Sequence, residues 1–524
     1  MQNIIERKYW LILLAICVFA FATRIHRLGE IKGYIFDEVY HGITSKLIAR
    51  NDPRAYEWWN QPVEPNTAVD WLHPPLAKYT QALGIKVFGE TPFGWRISAT
   101  VFGVAVIFVI AEFTRYLFHD KRLALLAALL SSFDGLLLTQ SRIAMNDIHV
   151  TFMLILTFFC FAWYRRTLHK YTTHPEQAYT LRNTVRLSLL LTGLLVGLAM
   201  GTKWSGFFAF VVVWFFEVIF FMTQLDKIAP TSREKAKEIF ARVLLIGVLP
   251  FVVYVLSYSH MFLQGKSLVC EGNQIVQGQC YCNQQSSTWV KAVGAFAGGD
   301  QTRWQKLEER GGCKRLISHF SELHNQIFWY QTNLKATHTY QSRPIDWFLN
   351  LRPVWFYVAY EQDKSVNIYA QGNPALFWLG NVSVFASLIA LSTYAATVLS
   401  KPSKAKTAQL YHRARHALVS ITNIDRQIGQ LFYLTVIYFA VWIPWQASPR
   451  IMFFYHYTPA VPLLAAILSY WLLKALKYEH TKHFLVTVVV AVAVTFALFY
   501  PNWTGIPVPK AFADFLYFSI QTWK

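Results

Sequence analysis

The chain has 524 residues, of which 54% are hydrophobic, 17% aromatic and only 15% charged. A soluble domain carries about 25% charged residues, and a soluble chain of this length divides into domains with polar surfaces; this composition, with its positive mean hydropathy, excludes an ordinary soluble enzyme. The net charge of +20 would suggest nucleic acid in a soluble chain, but no basic segment accompanies a nucleic-acid recognition module, and lysines and arginines gathered in cytoplasmic loops account for the surplus.

A helix needs about 20 mostly apolar residues to cross a bilayer. Such runs fall, in chain order, at 9–26, 94–117, 123–140, 147–164, 187–201, 204–223, 243–263, 374–399, 429–446, 451–473 and 483–500. They predict an all-α integral membrane protein of about eleven spans. The first run follows Arg7 and Lys8 and ends in Ala20-Phe21-Ala22, the outline of a signal peptide. It is read as a retained helix because informative residues follow it at once.

With the N-terminus inside, the inner loops hold Lys121 and Arg122; Arg165, Arg166, Lys170, Arg182 and Arg186; and Lys227, Arg233, Lys235 and Lys237. The later ones hold Lys401, Lys404, Lys406, Arg413, Arg415 and Arg426, then Lys474, Lys477 and Lys482. The short outer turns hold only Arg142, Lys203 and Arg450. This asymmetry is the positive-inside signature. It predicts a multi-pass membrane protein with its C-terminus and its chemistry outside.

Two outer segments are long, 27–93 and 264–373. They divide the chain into an N-terminal membrane region, 1–263, with a first outer loop at 27–93; a second extracytoplasmic loop, 264–373; and a C-terminal membrane region, 374–524. Cys270, Cys280, Cys282 and Cys313 lie in the second loop, whereas Cys17 and Cys160 fall in spans and are read as packed. Clustered outer cysteines point to disulfides in an oxidising compartment, with the pairing open. Cys280 and Cys282 are too close for the usual zinc-knuckle spacing.

Ionisable residues at membrane depth cost about 2.5–3.5 kcal/mol each on insertion scales, so each needs a reason. Asp37 and Glu38 are adjacent carboxylates just beyond the first span; alone they read as a polar loop start, but a positioned, partly desolvated carboxylate is also a general base. His73-Pro74-Pro75 opens an amphipathic interfacial helix that carries Lys78, and membrane anchoring accounts for much of it. Arg96 follows Trp95 at the outer end of the second span, as a snorkelling arginine or as a partner for phosphate. Arg142 and Asp147 flank one outer turn and are expected to pair with each other. Gly201–Gly206 forms a tight outer turn presenting Lys203. No Walker loop or dinucleotide fingerprint is present. Cations near a carboxylate pair suit an enzyme that binds an anionic lipid headgroup and activates a hydroxyl.

The order of segments resembles the protein O-mannosyltransferases, the dolichyl- or polyprenyl-phosphate-mannose-dependent enzymes of the GT-C glycosyltransferase fold. The residues that carry the resemblance are FDEVYH at 36–41, HPPLAK at 73–78, FGWRISATVFG at 93–103, FDGLLLTQSRIAMNDI at 133–148 and GTKWSG at 201–206. RPVWFY at 352–357, GNPALFWLG at 372–380 and PRIMFFYHYTPAVPLL at 449–464 extend it along nearly the whole chain. Eukaryotic members carry a β-trefoil MIR domain in the second outer loop. The loop here is too short for one, so the chain is similar to the bacterial form, which implies a place in the cell (plasma) membrane.

The resemblance implies mannose transfer, with inversion, from a polyprenyl-phosphate-mannose donor to Ser or Thr hydroxyls of secreted or membrane proteins. Asp37 would be the base, with Glu38 assisting it or holding the acceptor backbone. Arg96 would bind the donor phosphate, helped by Lys78, His73 and Lys203. No obligatory metal or other cofactor is implied, and no nucleic acid is a partner. Two rivals are a GT-C transferase moving an aminosugar or pentose onto a glycolipid, and a transporter. The FGWR, GTKWSG and GNPALFWLG segments favour a protein acceptor, and neither an internal repeat nor midplane polar residues favour transport.

Overall fold

The computed structural model describes residues 2–56, 62–173, 178–263, 316–399, 426–476 and 482–524. The four cysteines of the second outer loop lie outside the described residues. Helix α1 (Gln2–Ile25) runs up to the loop that carries Asp37, and α2 (Glu38–Ala49) and α3 (Leu76–Phe88) lie across the end of the bundle. Helix α4 (Pro92–Phe118) starts at Thr91, whose hydroxyl accepts the Gly94 N–H at 3.2 Å, with Pro92 in the first turn, where no N–H is needed. Then follow α5 (Lys121–Ser132), α6 (Gly135–Gln140), α7 (Asp147–Thr173), α8 (Ala178–Thr202) and α9 (Phe207–Thr223). Next, α10 (Ser232–Arg242) continues through a π-helical stretch, Val243–Val248, into α11 (Leu249–Ser257).

Among the described residues, nine helices are long and apolar enough to cross a membrane. Two expected spans differ. The run 123–140 is broken into α5 and α6 at Phe133-Asp134. There the Asp134 carboxylate accepts the N–H groups of Leu137 at 2.8 Å and Asn373 at 2.9 Å, and the Asn373 amide donates to the carbonyls of Phe133 and Val492. These side chains satisfy the backbone that the break frees. The run 451–473 contains a helix of only 16 residues, numbered α16 below.

The second outer segment contributes α12 (Leu316–Asn333), α13 (Pro344–Phe348) and a β-hairpin, β1 (Val354–Glu361) with β2 (Lys364–Ala370). After it come α14 (Pro374–Leu399), α15 (Arg426–Ala440), α16 (Ala460–Ala475), α17 (Lys482–Thr504), the short strand β3 (Val508–Pro509) and α18 (Lys510–Leu516). The antiparallel sheet has the order β1-β2-β3, running in register from Val354↔Ala370 to Glu361↔Lys364, with a bulge between Trp355 and Tyr357. Ser365↔Val508 ties in β3. The sheet qualifies the all-α expectation: VWFYVAYE and KSVNIYA are rich in aromatic and β-branched residues around a tight turn, a strand composition inside a loop.

The core runs through α4, α5, α7 and α16, with α16 buried on nearly all sides from Ala460 to Leu468. Outer helices expose apolar stripes instead. Val486, Val490, Val494 and Leu498 repeat every four residues along α17 and all face outward. A stripe this long is unstable in water and matches lipid tails.

Candidate active site

The ends of α1, α6, α8 and α17 meet the starts of α4, α7, α9 and α14 at one end of the bundle, where the polar groups assemble. Asp37 caps the start of α2 and is half-buried. The residue before it, Phe36, has φ +49°, a conformation costly for a bulky side chain. Its ring is held by stacking on Phe356 at 4.4 Å and an edge contact with Tyr455 at 5.9 Å. The β1 bulge brings Phe356 into that contact and so helps to fix the backbone that aims Asp37. The Asp37 carboxylate makes no hydrogen bond among the described residues. Burial raises its pKa from 3.8 to about 6; His41 and Lys203 pull it down, and Asp147 and Asp70 push it further up.

Glu38 and Arg96 form a closed unit. Arg96 Nε and Nη2 donate to the Glu38 carboxylate at 2.8 and 2.7 Å, Nη1 donates to the carbonyls of Leu28 and Ile31, and Nη2 also donates to that of Gly33. All five guanidinium hydrogens are therefore engaged inside the protein. Glu38 in turn accepts the N–H groups of Ile35 and Ala144, each at 2.9 Å. One buried ion pair thus binds the loop after α1, the start of α4 and the turn before α7.

Lys78 and His73 converge on Asp70, which sequence reasoning missed. Lys78 Nζ donates to the Asp70 and His73 carbonyls at 2.6 and 2.9 Å and lies 2.9 Å from Asp70 Oδ2, so its three hydrogens are also engaged. His73 Nδ1 donates to Asp70 Oδ1 at 2.9 Å, and burial pushes the His73 pKa down to about 4, which keeps it neutral near pH 7. Burial alone would raise Asp70, but His73, Lys78 and His41 hold it well below the usual carboxylate range. His41 Nδ1 lies 2.8 Å from Asp70 Oδ2. The ligand atoms of His41, Asp70 and His73 lie within 4.8 Å of one another, close enough for a metal ion by geometry, but the Lys78 ammonium already supplies the positive charge on that carboxylate. The spacing of Asp70 three residues before His73 was the available signal in the sequence.

The expected pairing of Arg142 with Asp147 is not formed. Asp147 instead receives Lys203 Nζ at 2.7 Å, across the turn between α8 and α9. Arg142 Nη1 donates to the carbonyls of Arg24 and His26 at 2.6 and 2.7 Å, capping the C-terminus of α1, where unpaired carbonyls favour a cation. Gly206 is required in the Lys203 turn, because a Cβ there would stand 2.2 Å from the Ala199 backbone. Arg450, noted in the sequence only for its side of the membrane, has no hydrogen-bond or ion-pair partner among the described residues. Burial lowers its pKa from the usual value, while Tyr455, Tyr330, Asp37 and Asp147 oppose the shift.

Comparisons with known proteins agree along the whole chain. The family model described as dolichyl-phosphate-mannose-protein mannosyltransferase matches residues 14–263, and the model for the C-terminal four-transmembrane region of protein-O-mannosyltransferase matches 316–520. A polyprenol-phosphate-mannose–protein mannosyltransferase of Mycolicibacterium smegmatis is 25% identical over 96% of this chain and 90% of its own length. The protein of that name from Corynebacterium glutamicum is 25% identical over 80% and 79% of the two chains. Among solved structures, a protein O-mannosyltransferase complex of S. cerevisiae bound to its sugar donor superposes with a TM-score of 0.69 at 16% identity, covering 97% of this chain and 91% of the other. An archaeal oligosaccharyltransferase from Archaeoglobus fulgidus gives 0.50 at 15% identity, over 98% of this chain and 58% of the other. These folds are GT-C folds. The chain belongs to the dolichyl-phosphate-mannose-protein mannosyltransferase family.

Proposed function

We propose that this mannosyltransferase moves mannose from a polyprenyl-phosphate-mannose donor to Ser and Thr hydroxyls of secreted or membrane proteins, with inversion, at the extracytoplasmic membrane face. The observation that carries the reading is the state of Asp37. It is a half-buried carboxylate with no hydrogen bond among the described residues and a pKa of about 6, open to accept a proton near neutral pH. The names of the relatives support the donor and the protein acceptor.

In this reading the acceptor oxygen attacks the anomeric carbon from the face opposite the phosphate. Its proton passes to Asp37, the bond from carbon to phosphate oxygen breaks, and the lipid phosphate leaves with the electron pair. Cations must offset that growing charge. Lys203, with one carboxylate partner, and Arg450, with no ion-pair partner among the described residues, are available for this role. Arg96 and Lys78, whose hydrogens are all engaged internally, act as positioning residues: Arg96 through Glu38 and Lys78 through Asp70. Glu38 itself fixes the backbone on either side of the base.

The test is mannose transfer from polyprenyl-phosphate-mannose to a Ser/Thr peptide, with lipid A as the competing acceptor. Peptide mannosylation is expected, and Asp37→Asn should lower it by about 10²–10⁴-fold with donor binding retained. Transfer to lipid A alone, or near-normal turnover by a folded Asp37→Asn enzyme, would reject the reading.

A further inference from the structure

The end of the bundle away from Asp37 holds a cavity of about 510 Å³, enclosed by the last turns of α4, α7 and α9 and the first turns of α15. Arg165, Arg166 and Lys170 of α7 line it, and Phe216, Phe432 and Tyr433 form an apolar floor. Arg166 and Lys170, at i and i+4, lie one turn apart on the same face of the helix, and Arg165 reaches the cavity from beside them. Basic residues that only set topology can spread along a loop; these converge on a concave apolar surface.

Among the described residues, the nearby acid is shared and offsets only part of this charge. Glu217 is fully buried and is already bound by Arg242 Nε at 3.0 Å and the Tyr164 hydroxyl at 3.2 Å. Arg165 Nη1 makes a long ion pair with Glu217 at 3.6 Å, too long for a hydrogen bond, so one carboxylate serves both Arg165 and Arg242. The Arg166 guanidinium lies 3.9 Å over the Tyr116 ring, which holds it at the rim, and Lys170 is exposed. Glu238, another described acid of this region, is shared by Arg186 and Arg242. Among the described residues the cavity is therefore a net-positive site with an oily base, lying between helices that read as membrane-spanning.

We propose that this cavity binds the phosphate headgroup of an anionic membrane phospholipid, on the membrane face opposite the catalytic one. The guanidinium of Arg165 and the ammonium of Lys170 suit phosphate oxygens, and the aromatic floor suits the first methylenes of the acyl chains. Basic pockets between transmembrane helices at the cytoplasmic interface are the general form of such sites.

The test is a native mass-spectrometric titration of the full-length protein in detergent with phosphatidylglycerol, phosphatidylcholine, a polyprenyl phosphate and inorganic phosphate. Phosphatidylglycerol should bind one saturable site well ahead of phosphatidylcholine. Lys170→Glu and Arg165→Gln should each weaken it by about fivefold or more, as expected for the loss of a cation near a lipid surface. Lys170 is exposed, so its variant should fold; Phe432→Trp, which narrows the cavity without altering charge, should also weaken binding. Equal binding of phosphatidylcholine, or unchanged phosphatidylglycerol affinity in Lys170→Glu and Arg165→Gln, would overturn the proposal. Displacement by inorganic phosphate would assign the site to a free anion. Preferential Lys170-dependent binding of polyprenyl phosphate would assign it to the carrier lipid. Either result also overturns it.

Discussion

In the proposed mechanism Asp37 is the base, Arg96 a brace and Arg450 a cation with no ion-pair partner among the described residues. The raised pKa of Asp37 fixes the sign of two pH effects. A base must be deprotonated, so kcat/KM should fall about tenfold per pH unit below about 6. Folding responds in the opposite sense. A carboxyl whose pKa is raised from 3.8 to about 6 favours the folded state in acid, and that contribution is lost as pH rises through about 6. Asp37→Asn should therefore raise the thermal midpoint at pH 8 and leave it little changed at pH 4; a lower midpoint at pH 8 would contradict the desolvated carboxylate. The two arginines separate by what each variant damages. Arg96→Ala leaves the fully buried Glu38 unpaired, a change that costs about 3–5 kcal/mol, so its midpoint should drop sharply. Arg96→Lys loses the planar fork and the carbonyl bonds, and should lose kcat and stability together with the donor KM retained. Arg450→Ala should keep its midpoint and raise the donor KM or lower kcat. Normal stability in Arg96→Ala, or a normal donor response in Arg450→Ala, would exchange the two roles.

At the scale of elements, the site depends on pieces that are not transmembrane helices. The hairpin β1–β2 supplies Phe356, whose ring supports the left-handed Phe36 and hence the direction of Asp37. Removing a buried phenyl group costs about 3–5 kcal/mol, and here the loss falls on the residue beside the base. Phe356→Ala is expected to lower kcat more than it alters donor KM, whereas Val358→Ala, exposed on the same strand, should match the wild type. Equal loss in both would mean that the hairpin acts only through general stability. The break between α5 and α6 follows the same logic. Asp134 and Asn373 close the freed backbone, and a Cβ on Gly135 would come within 2.1 Å of the Trp503 ring. Hydropathy alone merges α5 and α6 into one run, because averaging over about 20 residues hides a single buried aspartate whose partner lies over two hundred residues away.

For the whole molecule, apolar length and charge asymmetry made the membrane architecture legible, because both follow from the solvent rather than from specific contacts. The presence of Asp37, Glu38, Arg96 and Lys203 at one end was legible too. Their partners were not: Arg142 turned to the carbonyls of α1 and Asp147 to Lys203, since helix ends distant in sequence meet only in the fold. Asp70 gave only its spacing before His73 as a signal, and Arg450 only its place in an outer turn. The sidedness of the assembly follows from the same physics and can be measured. In a cysteine-free background, single cysteines replace Asp363, at the tip of the hairpin on the catalytic end, and Arg233, exposed near the start of α10 on the basic end. The basic end should face the cytoplasm, because lysines and arginines are retained on that side during insertion. A membrane-impermeant thiol reagent should therefore label the cysteine at 363 on intact cells and the cysteine at 233 only after the membrane is opened. The reverse pattern would turn the molecule over, moving Asp37 to the cytoplasmic face and the Arg165–Lys170 cavity to the outside, and would reject the proposed face of transfer.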